Sequence, residues 1–316
     1  MVHHGVVTTS AGSRHVYAHP VRRGLFLLLL LLALGAIAAG CGGDDDGDSD
    51  SATPSAQESC EKDNLELVKP PGLTVGTDNP AFPPWFGGGT QSSTWELNDP
   101  STGDGFESAV AYAVAEDLGF QKTDVSWVVV PFNQSFKPGP KDFDFDINQI
   151  SYTPARAKAV DFSESYYDVN QALVVLEGTP IANAKTLADL KPYKFGAQIG
   201  TTSYEHITDT IQPSQDPSVY DTNNDAVSAL KAKQIDGIVV DLPTAFFVTA
   251  AQLEGSTIVG QFPAVGTQER FGMVLAKGSS LTKCVNEALT RLKADGQLEK
   301  IQLEWLTTRA EAPVIK

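Results

Sequence analysis

The chain has 316 residues, with 23 Lys and Arg against 39 Asp and Glu and a formal net charge of −16. So acidic a balance excludes the phosphate-neutralising surface that nucleic-acid binding requires. Once the terminal segments described next are set aside, about 250 residues remain to fold, which is large for one small core and suits two lobes.

Residues 1–40 contain Arg14, Arg22 and Arg23 and no acid, and residues 24–39 form an apolar run that softens into Ala38, Ala39 and Gly40 before Cys41. This predicts an export signal. The run is shorter than the roughly 20 residues that a membrane span needs. Its ending, AAGC, resembles a bacterial lipobox and implies that Cys41 is lipidated as the first mature residue, although Ala38 stands where Leu is usual. Arg22 and Arg23 raise a twin-arginine route, but the rest of that motif is poor, so general secretion is expected. Residues 41–59 are rich in Asp, Ser and Gly and read as an acidic, disordered tether. The aspartates from Asp44 to Asp50 lack the closing Glu and flanking helix of a calcium loop, so no metal or cofactor is expected. The mature protein is thus expected outside the cytoplasm, touching the membrane through its lipid alone.

Loss of residues 1–40 leaves 20 basic against 39 acidic residues, a net charge of −19, and removes every histidine except His206. A Ser-His-Asp triad or multi-histidine metal site would rest on that one residue, whose ordinary role on a helix is surface or packing. Cys60 and Cys284 remain as an even pair, which in an oxidising compartment reads as a disulfide.

From about Leu65, short β-rich segments alternate with helical ones. LTVGT (73–77) and VSWVVV (125–130) are predicted strands. Between them Phe106, Val110, Ala113, Val114 and Leu118 recur at helical spacing, and Gly119 ends the helix. Phe143, Phe145 and Ile147 alternate with Asp144, Asp146 and Asn148, as in a strand with one buried face. The segment NQISYTPARAKAVDFSESYY (148–167) then places Arg156 in a small, hydroxyl-rich loop. A guanidinium fork flanked by Ser151 and Thr153 is how a carboxylate receptor is built, although most arginines beside a turn are solvated surface residues. In FGAQIGTTSYEHI a strand ends at Gly200 and Thr201, Thr202 and Ser203 open a helix, which suits an anion or an ordinary N-cap. In IDGIVVDLPTA, Asp241 follows an apolar strand and precedes Pro243, either as a helix cap or as a ligand contact at a strand's C-terminal end. The chain closes with the strand FGMVLA, a helix with Leu281, Cys284, Val285, Ala288 and Leu292 on one face, a break at Gly296, and a helix lined by Leu298, Ile301 and Trp305. The alternation predicts α/β layers with mainly parallel strands.

These segments, in this order, resemble the family-3 extracellular solute-binding proteins that deliver polar amino acids to ABC permeases. LTVGTDNPAFPPWF is similar to that family's opening strand and aromatic-proline loop, GFESAVAYAVAEDLG to its first helix with Ala109 where a second acid is usual, and SYTPARAKAVDFSESYY to its hydroxyl, arginine and DFS segment. The resemblance implies a type II periplasmic-binding-protein fold, α/β and two-lobed, with the ligand cleft between lobes joined by two hinge segments. It places Arg156 and Ser151 on the ligand's α-carboxylate, closes Thr201 and Thr202 over the same group, and gives the α-ammonium to Asp241. Phe82 would flank the ligand side chain, with Trp85 and Trp95 as weaker candidates, and each could equally be core. Asp78 and Gln149 would help to select that side chain, and Asn148 and Gln149 replace small residues common there. Residues 60–176 and 265–316 would form lobe one and residues 177–264 lobe two, hinged near residues 173–176 and 264–268. The expected partners are a polar amino acid and an ABC permease, and the protein is expected to be a monomer. Cyclohexadienyl dehydratase-like enzymes use the same fold, with Glu164 and Glu205 the only glutamates near the matched segments, and a ligand-sensing lipoprotein is a third reading.

Overall fold

The computed structural model describes residues 59–264, 266–306 and 312–316. The export segment, Cys41 and the tether up to residue 58 lie outside the described residues. The strands are β1 (Leu73–Thr77), β2 (Val125–Val129), β3 (Phe145–Asp146), β4 (Val160–Asp168), β5 (Gln171–Leu176), β6 (Phe195–Gln198), β7 (Ser218–Tyr220), β8 (Gly237–Asp241), β9 (Ser256–Gln261) and β10 (Arg270–Ala276). They form two five-stranded sheets, ordered β2-β1-β3-β10-β4 and β7-β6-β8-β5-β9, one to each lobe. The helices are α1 (Phe106–Asp117), α2 (Phe132–Ser135), α3 (Leu187–Leu190), α4 (Thr202–His206), α5 (Asn223–Lys231), α6 (Leu242–Phe247), α7 (Leu281–Ala294) and α8 (Gln297–Trp305).

The helical stripe Phe106, Val110, Ala113, Val114 and Leu118 is buried, as is the α7 face Leu281, Cys284, Val285, Ala288 and Leu292. Both meet Val75, Phe145 and Ile147 in the main core of the first lobe. A small second cluster, Ile150, Val160 and Val274 with Phe132, Phe136 and Phe162, packs apart from that core. The second lobe has separate clusters, one built on Val174, Leu230 and Ile238 and the other on Leu173, Phe195 and Val239. Neighbouring residues on β5 and β8 thus divide between them, as the alternation of side chains along a strand requires.

The pairing is mixed rather than mainly parallel. β1 with β2 and β3, and β6 with β7 and β8, are parallel; β10 with β3 and β4, and β5 with β8 and β9, are antiparallel. The antiparallel pairs all involve strands at the crossings between lobes, where the chain leaves by β4 and β5 and returns by β9 and β10. The two crossings lie side by side, tied by Val169 N–H to the Glu269 carbonyl (2.9 Å) and Phe262 N–H to the Gln171 carbonyl (2.8 Å).

Two boundaries differ from the expectation. β5 belongs wholly to the second sheet, so the first crossing is Val169 and Asn170 rather than residues 173–176. The segment at 312–316 belongs with the second lobe, not the first: Val314 bridges Gln261, and Leu187 N–H donates to the Lys316 carbonyl at 2.9 Å. The tail runs so close that a Cβ on Gly260 would lie 2.5 Å from the Pro313 carbonyl.

Cys60 and Cys284 are bonded across a sequence separation of 224 residues. Both pack in the main core of the first lobe. Reduction, or a Cys60→Ala and Cys284→Ala double variant, is expected to lower unfolding free energy by up to about 5 kcal/mol through loop-closure entropy. A denaturant titration with and without reductant measures it, and an unchanged midpoint would deny the bridge that role.

Candidate functional site

The cleft opens beyond the C-terminal ends of the parallel strands, where open α/β sheets place their ligand contacts. Asp78, Phe82, Phe132, Asn148, Gln149 and Ser151 line it from the first lobe, and Gln171, Gln198, Thr201, Thr202, Asn223 and Asp241 from the second. Trp85 and Trp95 are buried away from that lining. Trp85 sits edge-on to Phe106, Tyr167 and Phe271, because an indole in an aromatic core gains more from packing than from solvent. Its indole N–H nevertheless crosses the lobes to donate to Thr244 Oγ1 at 3.0 Å.

Arg156 lies beside the cleft rather than in its lining and spans the lobes. Nη1 donates to the Ser151 carbonyl at 2.6 Å and Nη2 to the Gly200 carbonyl at 2.7 Å. Its guanidinium carbon stands 4.4 Å from the Phe136 ring centroid, a cation–π contact that holds the fork in place. Burial lowers its pKa to about 10, so it stays charged at neutral pH. Gly200 meets it with φ +74°, and a Cβ there would lie 2.5 Å from Asn133 Oδ1 of the first lobe. Glycine is what permits both the turn and the close approach.

Thr201 caps α4, accepting from Tyr204 N–H at 3.2 Å and donating to the Gln198 carbonyl at 2.7 Å. Asp241 caps α6 in the same manner, accepting from Thr244 N–H at 2.9 Å and Thr244 Oγ1 at 2.8 Å. Capping and cleft-facing are compatible for both residues, since both also line the cleft. Burial raises Asp241 to about 6 despite the Thr244 bonds.

Further acids lie behind the lining. Glu107, in the first turn of α1, accepts from Gln149 N–H at 2.6 Å and also from Gln149 Nε2 and Tyr166 Oη. These bonds hold Gln149 in a left-handed conformation, φ 47°. Burial pushes Glu107 up to about 7. Asp146 is fully buried, and neither carboxylate oxygen has a hydrogen-bond partner among the described residues. Burial, then Glu107 and Asp78, drive its pKa well above the usual carboxylate range. The alternation at 143–148 made Asp144, Asp146 and Asn148 the exposed face; all three are buried, because β3 lies inside the sheet with both faces covered.

The sequence reading did not reach Glu269 and Gln171, at the crossings. Glu269 Oε1 accepts from Ser151 Oγ at 2.6 Å, from Thr202 Oγ1 at 2.5 Å and from Gln171 Nε2 at 3.2 Å. Gln171 Oε1 in turn accepts from Ser203 Oγ at 2.7 Å. His206 packs against Phe262 with the rings tilted, centroids 4.4 Å apart, a packing role. Glu164 and Glu205 are exposed and outside the cleft lining.

Two sheets joined by paired crossings and enclosing a polar cleft define a type II periplasmic binding protein. The chain belongs to the bacterial extracellular solute-binding proteins, family 3, which match residues 73–308. It is similar to the ABC transporter glutamine-binding protein GlnH of Bacillus subtilis (strain 168), 28% identical over 260 residues covering 79% of this chain and 87% of the relative. Among solved structures it resembles an ancestral arginine-binding protein bound to arginine, at 30% identity and TM-score 0.60, covering 74% of this chain and 97% of that one. It also resembles the ancestral amino acid-binding protein AncCDT-1, a precursor of cyclohexadienyl dehydratase, at 26% identity and TM-score 0.60 over 75% and 95% of the two chains. No helix among the described residues is long and apolar enough to cross a membrane.

The raised acids fix a pH dependence. Glu107 moves from 4.5 to about 7 and Asp241 from 3.8 to about 6, so between these values the folded state holds protons that the unfolded chain has released. Their stabilisation is full below the unfolded values and is lost as pH rises through 6 and 7. Thermal unfolding of the ligand-free protein is expected to show a loss on the order of 3 kcal/mol from pH 5 to pH 8. A Glu107→Gln variant should flatten that slope; an equally steep slope would remove Glu107 as its source.

Proposed function

We propose that this chain captures a polar amino acid, with a cationic side chain favoured, and delivers it to an ABC permease from a lipid anchor at Cys41. The observation that carries the reading is Asp241, a carboxylate lining the cleft, fixed by Thr244 and raised to about 6 by burial. Such a group gains from a cation, and the ligand's α-ammonium is that cation. Arg156, with the hydroxyls of Ser151 and Thr202, is the receptor for the α-carboxylate, because a zwitterion buried by closure needs both charges paired. Thr201 shapes the helix start beside that group through its cap. Phe82 flanks the side chain, while Asp78 and Gln149 select it. The carboxylate of Asp78, which lines the cleft, favours a guanidinium or ammonium over a neutral amide. The arginine complex of the similar ancestral protein accords with that preference.

Binding without catalysis is supported by the exposed positions of Glu164 and Glu205 and by the binding proteins among the relatives. Closure follows from ligand bridging the lobes, since only differential affinity for the closed form shifts that equilibrium. The permease would then read the closed surface.

A thermal-shift screen of residues 58–316, stripped of ligand by unfolding and refolding, against the twenty amino acids tests the proposal. A ligand at one hundred times its dissociation constant adds about 2.7 kcal/mol, a shift of several degrees. Shifts confined to a few polar amino acids, basic ones foremost, are expected; none with any amino acid would end the reading. Arg156→Ala should cost about 2 to 5 kcal/mol of binding, roughly thirtyfold or more in affinity, and unchanged calorimetric affinity would remove Arg156 from the site. Ligand affinity should also weaken as pH falls through about 6, where Asp241 takes up a proton.

A further inference from the structure

Glu269 sits on the crossing that returns from the second lobe, yet its carboxylate reaches the hydroxyls of both lobes. Ser151 Oγ of the first lobe and Thr202 Oγ1 of the second donate to the same oxygen, Oε1, at 2.6 and 2.5 Å. Gln171 Nε2 donates to both carboxylate oxygens at 3.2 and 3.1 Å. With the lobes bonded to each other in this way, the neutral donors proposed above for a ligand's α-carboxylate already serve a carboxylate of the protein. Two N–H groups of Arg156 serve backbone carbonyls at the same junction. A second carboxylate placed there would meet Glu269 as a like charge and compete for the same hydroxyls. An α-amino acid therefore has to displace Glu269 before its carboxylate can be received.

A ligand with the same cationic groups and no α-carboxylate has no such obstacle. Its ammonium meets Asp241 and its distal cation Asp78, both of which line the cleft. Every hydroxyl named above keeps its partner, so no buried donor is stranded by closure. We propose that Glu269 is a built-in carboxylate that lets this cleft also close on amine cations lacking an α-carboxylate, the decarboxylated counterparts of cationic amino acids. The assignment rests on the proposed placing of ammonium and side chain at Asp241 and Asp78, and adds a second ligand class to it.

The matched probes are L-arginine and agmatine, which differ by the α-carboxylate alone, titrated calorimetrically into the wild-type protein and into Glu269→Ala and Glu269→Gln. Wild type is expected to bind both. Glu269→Ala should lose at least about tenfold in agmatine affinity while L-arginine binds as well or more tightly. Glu269→Gln keeps the shape of the contact without its charge and should move both ligands in the same directions by less. Its binding of L-arginine also shows that a variant is folded. Binding of L-arginine without agmatine would overturn the inference and leave the amino-acid reading standing. Parallel losses of both ligands in Glu269→Ala would make Glu269 an ordinary scaffold residue and would likewise overturn it. Binding of agmatine when no amino acid binds would uphold the inference and end the amino-acid reading. Binding of neither would sink the cationic preference and this inference together.

Discussion

Closing two lobes over a cleft strips water from every ionic group inside it, and each of those groups must then find a partner in the protein or in the ligand. The arrangement around Arg156, Asp241 and Glu269 answers that constraint. Arg156 is held by two carbonyls, one from each lobe, and by the face of Phe136. Asp241 is held by Thr244, and Thr244 by the indole of Trp85 from the opposite lobe. Arg156 and Asp241 are each fixed in place, and a ligand's cation can meet Asp241 as it stands, whereas a ligand's carboxylate finds the hydroxyls of Ser151 and Thr202 already serving Glu269.

The crossings translate that chemistry into movement. β4 with β10 and β5 with β9 bring the outgoing and returning chains together, so two short segments act as one paired strip between the lobes. Gln171 lies on this strip and lines the cleft, and Glu269, also on the strip, bonds the hydroxyls of the lining residues Ser151 and Thr202. The hydroxyls of Ser151 and Thr202 thus join the cleft lining to the returning crossing. The disulfide, in contrast, is confined to the core of the first lobe and stiffens a body rather than a joint.

Much of this was legible in the sequence where local chemistry and local structure coincide. Arg156 stood out among small hydroxyl residues, Asp241 at the end of an apolar strand before a proline, and the stripes of α1 and α7 in their helical periods. Asp146 was misread because alternation implies an exposed face, whereas an interior strand with both faces covered hides its polar residues too. Trp85 could be read either as flanking the ligand or as core, and the aromatic cluster around it makes it core. Glu269 carried no signal. It lies in a polar stretch, GTQER, without periodicity, and its contacts arise from the pairing of segments about a hundred residues apart. The boundary of the second lobe slipped for a related reason, since hydrophobicity alone does not say to which sheet QALVVL will pair.

The segment at residues 312–316 bears on how the molecule can be watched. It is clamped to the second lobe at Gln261 and Lys185, whereas Cys60 is bonded into the first. The two segments therefore travel with different lobes. Chromophores carried there would make the protein an optical ruler of its own cleft, reporting occupancy by energy transfer with no probe placed near the ligand.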